Sequence, residues 1–329
     1  MPFTLIRGLH NLRPQHRGCV LTIGSFDGVH RGHRAILDQL RLQANALNMP
    51  SAVMVFEPQP YEFFSGDKAP ARLMRLRDKI RALSACGVDR VICLQFNQHL
   101  RQLSAVEFIN LVLLEGLGVK SLVVGDDFRF GCDRAGDFSL LQKSGEKYGF
   151  SVYDTCTVED GGERISSTRI RLALEAEQFE EAARLLGHPY IIRGRVVYGQ
   201  QLGRTIGVPT ANVRLRRYRS PLNGVFAVRL RIIGDSNWLP GVANVGVRPT
   251  VGGEGKPVLE VHLLDFHGHL YGKEVEVRFE KKIRDEQKFP SLDALKLQIH
   301  SDIEQTRLFF DNFEKADFEN NLYLRKEND

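Results

Sequence analysis

The sequence predicts two domains in series: a Rossmann-like α/β domain built on a parallel sheet, then a small antiparallel β-barrel followed by a C-terminal helix. Three observations carry this expectation. As far as about residue 186, short apolar runs of strand character alternate with amphipathic helical segments, the pattern of a parallel sheet with helices on both faces. Past Gly187, runs rich in valine and isoleucine recur between glycines and prolines at 190–198, 224–233, 238–247, 258–265 and 274–283, as a small barrel reads. One helical pattern then runs from 291 to about 310. With 329 residues, 43% of them hydrophobic, the chain is long enough for two cores. The expected limits are 1–186 for the first domain and 187–310 for the second, with 311–329 a charged, weakly patterned tail that is frayed or forms a short helix.

Each element follows from local pattern. Residues 19–23 are an apolar run suited to a buried strand, and Ile36, Leu37, Leu40, Ala44 and Leu47 follow at the spacing of one helix face. Residues 51–56 read as a second strand, stopped by Glu57-Pro58-Gln59-Pro60, so the stretch through Pro70 is expected to be irregular. Its Tyr61, Phe63 and Phe64 either pack under that loop or offer a flat surface to an aromatic ligand. A helix over 72–85, a strand over 91–96, a helix over 104–117 and a strand over 121–125 continue the alternation, with Ser104 and Glu107 forming a capping box. A helix from Asp137, a strand near 150–153, a helix opening at 165–171 and an amphipathic helix at 177–186 complete the first domain. In the last helix Ser291 caps, and Leu292, Leu295, Ile299 and Ile303 make a stripe expected to pack in the core.

Composition excludes several function classes. A net charge of +5 is slight for this length, so bulk attraction to nucleic acid or an acidic membrane is not implied. Arg214, Arg216, Arg217 and Arg219 form a local basic run, but with only Tyr218 among them as a stacking aromatic they make a weak RNA site. Five scattered cysteines without a Cys-x-x-Cys pair argue against a disulfide framework or structural zinc, and point to a reduced, cytoplasmic setting. Residues 1–18 lack the apolar core of a signal peptide, and no apolar run approaches membrane-spanning length.

The chemistry concentrates in a few stretches. Residues 24–33, Gly-Ser-Phe-Asp-Gly-Val-His-Arg-Gly-His, lie where a strand turns into a helix, and the unpaired N–H groups and dipole of that helix start suit a nucleotide's phosphates. Gly24, Phe26, Asp27, Gly28 and Gly32 in this turn are candidate ATP- and phosphate-binding positions, while His30 and His33 share a face and can donate to one phosphate chain. Two imidazoles without a third carboxylate or cysteine make a poor zinc site. At the same sheet edge, Asp126, Asp127 and Phe128 offer carboxylates for a ribose or an acceptor and a ring for a planar group. Ser166, Ser167 and Thr168 open a later helix with Arg169 and Arg171, and together they read as a clamp for the outer phosphates of a triphosphate. In the second domain, the loop from Gly199 through Gly203 and Arg204 leads to Thr210 and Asn212, which share a face if extended and supply neutral oxygens suited to Mg²⁺ beside phosphates. Alternation over 258–266 gives Glu260 and His262 one face; that face is either solvated, or it lines a ligand crevice with Glu260 as general base for a hydroxyl.

The His-x-Gly-His signature at 30–33 resembles that of the nucleotidyltransferase superfamily. From about residue 15 to 310 the chain resembles the bacterial bifunctional riboflavin kinase/FAD synthetase family, with motifs in the family's order: 24–33, Asp-Phe-x-Phe-Gly at 127–131, Ile-Ser-Ser-Thr-x-Ile-Arg at 165–171, Gly-Arg-x-x-Gly-x-Pro-Thr-Ala-Asn at 203–212, Arg-Pro-Thr at 248–250 and the Glu260 segment. Other adenylyltransferases share the first motif but leave the barrel with Pro-Thr-Ala-Asn unexplained. The resemblance implies phosphorylation of riboflavin by ATP in the barrel, with Thr210 and Asn212 holding Mg²⁺ and the phosphates, the loop of Gly199, Gly203 and Arg204 covering those phosphates, and Glu260 as base. It implies adenylylation of FMN in the first domain, with His30 and His33 donating to phosphates and Ser166, Ser167, Thr168 and Arg171 holding pyrophosphate. Flavin contacts fall to Asp126, Asp127, Phe128, Phe63 and Arg284. The implied cofactor is Mg²⁺ with ATP as co-substrate. The expected partners are riboflavin, FMN and ATP, with neither nucleic acid nor membrane, and any homo-oligomer is expected to be weak.

Overall fold

Strands that are apolar at every position can only be buried on both faces, and the first part of the chain supplies several. The computed structural model describes residues 2–155, 157–199, 207–250 and 253–326, the side chains of 248–250, 253–256 and 314–326 excepted. The chain divides into two compact units, Met1–Arg169 with Leu185–Gly187, and Ile170–Arg184 with His188–Asp329.

The first unit holds strands β1 (Thr4–Arg7), β2 (Cys19–Ile23), β3 (Ser51–Glu57), β4 (Arg90–Gln95), β5 (Val119–Val124) and β6 (Ser151–Asp154) in a parallel sheet of order β1-β4-β3-β2-β5-β6. Successive side chains leave β2 on opposite faces: Val20 joins Leu37, Leu40 and Ala44 of helix α1 (Arg31–Ala46), whereas Leu21 joins Ile109, Leu113 and Leu141. Full burial of a leucine such as Leu37 or Leu40 is worth roughly 1.5–3 kcal/mol. The strand order reverses direction at β2, so the crevice beyond the carboxyl ends of β2 and β5 is the position where a ligand binds in sheets of this kind.

Several expectations need correction. The stretch after β3 is not irregular: Pro60 opens helix α2 (Pro60–Ser65), because the missing proline N–H costs nothing in a first helical turn. Helix α3 (Leu76–Ala85) starts four residues later than the pattern at 72–85 suggested. A short helix α4 (Gln98–Gln102) capped by Asn97 precedes α5 (Ala105–Glu107), where Ser104 and Glu107 make the expected capping box before a π-helical segment (Phe108–Gly116). Asp137 caps α6 (Phe138–Tyr148) as expected. Leu47 is 44% exposed at the end of α1 rather than on its buried face.

A two-residue hairpin, β7 (Glu159–Asp160) with β8 (Glu163–Arg164), precedes helices α7 (Ser167–Glu175) and α8 (Phe179–Leu186). In the second unit β9 (Ile191–Val197), β10 (Ala211–Val213), β11 (Gly224–Ile232), β12 (Leu239–Thr250), β13 (Gly253–Leu263) and β14 (Glu274–Arg284) close into a barrel of order β10-β13-β12-β11-β14-β9, all pairs antiparallel. The final helix α9 (Leu292–Lys326) packs on β11, β12 and β14 and continues well past residue 310, so the expected tail is helical over most of its length. Its buried positions among the described side chains are Asp302, Thr306 and Phe310, with Ile303 packed alongside; Leu292 is 59% exposed, and Leu295 and Ile299 line a cavity instead of the core.

Candidate active sites

In the first unit the turn after β2 is strained. Phe26 and Val29 carry φ values of 46° and 42°, a region costly for a bulky and a β-branched residue, and they bracket Asp27 and Gly28. Gly28 sits at φ 89°, a conformation that L side chains rarely adopt, and a Cβ there would press on Leu73 Cδ1 at 2.9 Å. Gly24 ends β2 by donating to Met54 O at 3.1 Å. Asp27 is buried, and its carboxylate accepts from the N–H groups of Leu73 (2.9 Å) and Met74 (3.1 Å). That carboxylate does not line the cavity beside it. Asp27 thus works through its backbone position: its carbonyl accepts from Ser167 Oγ at 2.8 Å, which ties the turn to the start of α7.

The two histidines meet as their spacing implied. His30 is the N-cap of α1, and its Nδ1 accepts from the His33 N–H at 3.2 Å, so in the neutral ring the proton sits on Nε2. The rings stack with centroids 3.6 Å apart, and Phe26 backs His33 at 4.9 Å. Burial pushes the His33 imidazole well below its ordinary pKa, helped by the charges of His30, Lys79 and Arg164, so it is neutral at pH 7. Its Nδ1 is buried with no hydrogen-bond partner among the described residues.

These rings, Gly32, Asp127, Thr155, Thr157, Arg164, Ser166 and Ser167 line a cavity of about 280 Å³. The clamp read from sequence is assembled differently. Ser166 and Ser167 reach the cavity, although Ser166 Oγ also caps α7 by accepting from the Arg169 N–H at 3.2 Å. Thr168 is exposed, and neither it nor Arg171 lines this cavity. Arg169 is used structurally, donating to the carbonyls of Asp160 (2.8 Å) and Glu163 (3.2 Å) in the hairpin. The guanidinium at the cavity is that of Arg164, paired with Asp127 at 3.0 Å. Sequence reasoning gave Arg164 no role, because the hairpin that turns it back toward the helix start has strands of two residues, too short to show a period.

Of the aromatic and acidic residues assigned to flavin in this unit, only Asp127 reaches the cavity. Asp126 is exposed, Phe128 stacks on Phe130 at 5.6 Å, and Phe63 packs edge-on with Phe64 and Phe96 beyond the ends of β3 and β4. Lys79 of α3, also missed, is almost completely buried; burial drives its pKa down against the pull of Asp27, Glu57 and Glu62.

In the second unit, strand register brings distant residues onto one rung. Asn212 on β10 is opposite Glu260 on β13, Glu260 opposite Asn244 on β12, Asn244 opposite Val225 on β11, and Val225 opposite Arg284 on β14. Residues directly opposite share a face, so this rung carries Asn212, Glu260, Asn244 and Arg284 on one face of five strands, interrupted by the apolar Val225. The neighbouring rung, Ala211, Val261 and Ala243, is buried and apolar. The Glu260 face lines a cavity of about 410 Å³ with Thr210, Asn244, His262 and Arg284, closed by Phe289 and by Leu295, Ile299 and Asp302 of α9. This decides between the two readings of Glu260 in favour of a crevice.

His262 Nδ1–H donates to Pro209 O at 2.8 Å and fixes the segment leading to Thr210. Gly199 lies against Asn212, where a Cβ would be within 2.4 Å of its amide. Only a bare backbone admits the Asn212 amide there, and the neutral side-chain oxygens of Thr210 and Asn212 are of the type that suits a hard cation such as Mg²⁺. A smaller opening of about 90 Å³, lined by Val196, Pro209, Leu263, Phe266 and Tyr271, shares Thr210 with the larger cavity. Gly203 and Arg204 lie outside the described residues. Asn244 and Asp302 escaped sequence reasoning because register and helix packing, not local motif, bring them here.

Comparison with known proteins agrees with this division. Residues 12–169 match the FAD synthetase family and residues 186–310 the riboflavin kinase family. Bifunctional riboflavin kinase/FMN adenylyltransferases from Pseudomonas fluorescens (58% identical over 92% of this chain and 96% of the relative), Escherichia coli K12 (56%, over 93% and 97%) and Haemophilus influenzae (50%, over 94% and 99%) are similar to the chain throughout. A solved structure described as a macrolide-efflux protein from Streptococcus pneumoniae is 32% identical with a TM-score of 0.73, covering 93% of this chain and 99% of that one. Two sites of different chemistry, two family matches in the same order and end-to-end relatives place the chain in the family of bifunctional riboflavin kinase/FMN adenylyltransferases.

Proposed function

We propose that this chain converts riboflavin to FMN at the Glu260 cavity and FMN to FAD at the His30–His33 cavity, each reaction using one ATP. The observation that carries the reading is that each unit holds its own cavity, imidazoles with hydroxyls in one and a carboxylate between two amides in the other. On this reading residues 1–186 serve the second reaction and 187–310 the first, while Ile170–Arg184 pack with the barrel.

In the kinase reaction two substrates must meet at one phosphorus, and two openings meet at Thr210. Riboflavin occupies the larger one, where Val225, Val242, Leu295 and Ile299 suit a flat apolar ring, and ATP enters from the smaller. Glu260 takes the proton of the ribityl hydroxyl, whose oxygen attacks the γ-phosphorus as ADP leaves. Asn212 and Asn244 flank Glu260 on the neighbouring strands. Thr210 and Asn212 would hold Mg²⁺, which supplies charge neutralisation on the phosphates when bound.

In the adenylylation, an FMN phosphate oxygen attacks the α-phosphorus of ATP and pyrophosphate leaves. His30 donates through Nε2–H as charge develops, neutral His33 stacks beside it, and Ser166, Ser167 and Arg164 receive the departing phosphates. We place the protein in the cytoplasm: Cys19, Cys86, Cys93 and Cys132 are free thiols, and no helix among the described residues is long and apolar enough to cross a membrane. We read the 214–219 arginine run as structural in part, since Arg217 is buried and donates to Tyr190 Oη at 3.2 Å.

The test is chromatography of purified protein incubated with ATP, Mg²⁺ and either riboflavin or FMN. FMN and FAD from riboflavin, and FAD from FMN, are expected; failure to form either product contradicts the proposal.

A further inference from the structure

A guanidinium in the wall of a phosphotransfer site ordinarily serves as an anion clamp, because its fork of N–H groups matches phosphate oxygens. Arg284 lines the Glu260 cavity, yet its fork is already engaged. Its Nε donates to both Asp302 oxygens at 2.9 and 3.1 Å, its Nη2 donates to Asp302 Oδ2 at 2.8 Å, and its Nη1 donates to Asp285 O at 2.8 Å. Asp302 is itself buried, and its Oδ1 also accepts from Gln298 Nε2 at 2.9 Å. Phe289 covers the guanidinium at 5.6 Å. What this pair adds to the cavity is a flat surface with its charge compensated, beside the apolar Val225, Leu295 and Ile299.

We infer that Asp302 is a positioning residue that sets flavin specificity in the kinase cavity: by engaging the Arg284 fork it presents a platform to neutral riboflavin and withholds an uncompensated positive charge from the phosphorylated product. The inference rests on the cavity being the kinase site. The two flavins differ by a phosphate carrying about −1.5 to −2 charges at pH 7, so an unpaired Arg284 in the same cavity would favour product over substrate. Compensating that arginine lets FMN leave for the second reaction.

The test is the initial rate of riboflavin consumption by the full chain at saturating ATP, with FMN added as competitive inhibitor, for Asp302→Asn. The KM for riboflavin is expected to rise about tenfold and the inhibition constant of FMN to fall about tenfold, the order of effect of one newly unpaired charge within a cavity, with the KM for ATP unchanged. A purely structural role for Asp302 would weaken both flavins together, and that result overturns the inference. Removing both charges, in Arg284→Gln with Asp302→Asn, is expected to return FMN inhibition toward the wild-type value. Should Asp302→Asn fail to fold, Gln298→Leu, which removes one bond to Asp302, is expected to shift FMN inhibition in the same direction by a smaller factor; no shift overturns the inference. Undiminished phosphorylation of riboflavin by Glu260→Gln would remove the cavity from the kinase reaction, and the role of Asp302 with it. A full dependence on Glu260 with unaltered FMN inhibition in the Asp302 variant defeats the inference alone.

Discussion

The two sites are built by opposite means. In the first unit the groups come from turns and helix starts at the carboxyl edge of a parallel sheet, so His30, His33 and the strained turn before them arrive within ten consecutive residues. In the barrel they come from single positions on antiparallel strands, and the rung from Asn212 to Arg284 draws one residue from each of five strands. A site made by a turn depends on local backbone geometry; a site made by a rung depends on register and on what covers it. The difference predicts where each will break.

With Glu260 proposed as the base, the largest expected effect is there. Glu260→Gln keeps the rung's shape but removes the proton acceptor, and riboflavin phosphorylation is expected to fall about a thousandfold while FAD formation from FMN is unchanged, as measured by initial rates. Next is Gly199→Ala, whose Cβ collides with the Asn212 amide; a loss of about tenfold or more in kinase rate, with a raised Mg²⁺ requirement, is expected in a titration of the metal. A stability change comes third: Asp27→Ala removes the carboxylate that accepts from the buried Leu73 and half-buried Met74 N–H groups, and denaturant unfolding is expected to show a loss of about 2–4 kcal/mol confined to the first unit.

The smallest effect is on pH dependence. Because burial and neighbouring charges hold the His33 pKa below that of the unfolded chain, the unfolded state binds more protons in mild acid, and stability falls as pH drops below about 6.5. Removing one of those charges in Lys79→Met raises the His33 pKa. The acid limb of the FAD-forming rate is then expected to move to higher pH, with the kinase profile unmoved; coincident shifts in both would break the comparison.

What could be read from sequence follows the same division. The turn at 24–33, the Ser104–Glu107 cap and the alternation at Glu260 are local, and each appears in the structure as read. The strand Thr4–Arg7 was missed because it is four residues long and its partner, Arg90–Cys93, lies far along the chain. Pro60 was read as a breaker since a proline at a first helical position looks the same in sequence as one in a loop. Arg164, and not Arg171, lines the cavity beside His30 and His33 through a hairpin of two-residue strands, too short to carry a period. Asn244 and Asp302 needed strand register and the packing of α9, neither of which is local.

The central claim is that two independent sites act in sequence, and a mixing experiment tests it most directly. Glu260→Gln and His33→Ala chains would each be given riboflavin, ATP and Mg²⁺, alone and together, with FMN and FAD resolved over time. The account predicts little flavin product from the first chain, FMN without FAD from the second, and FAD from the mixture as FMN made by one chain is adenylylated by the other. Loss of both activities in either single variant, or a mixture that stops at FMN, would contradict it.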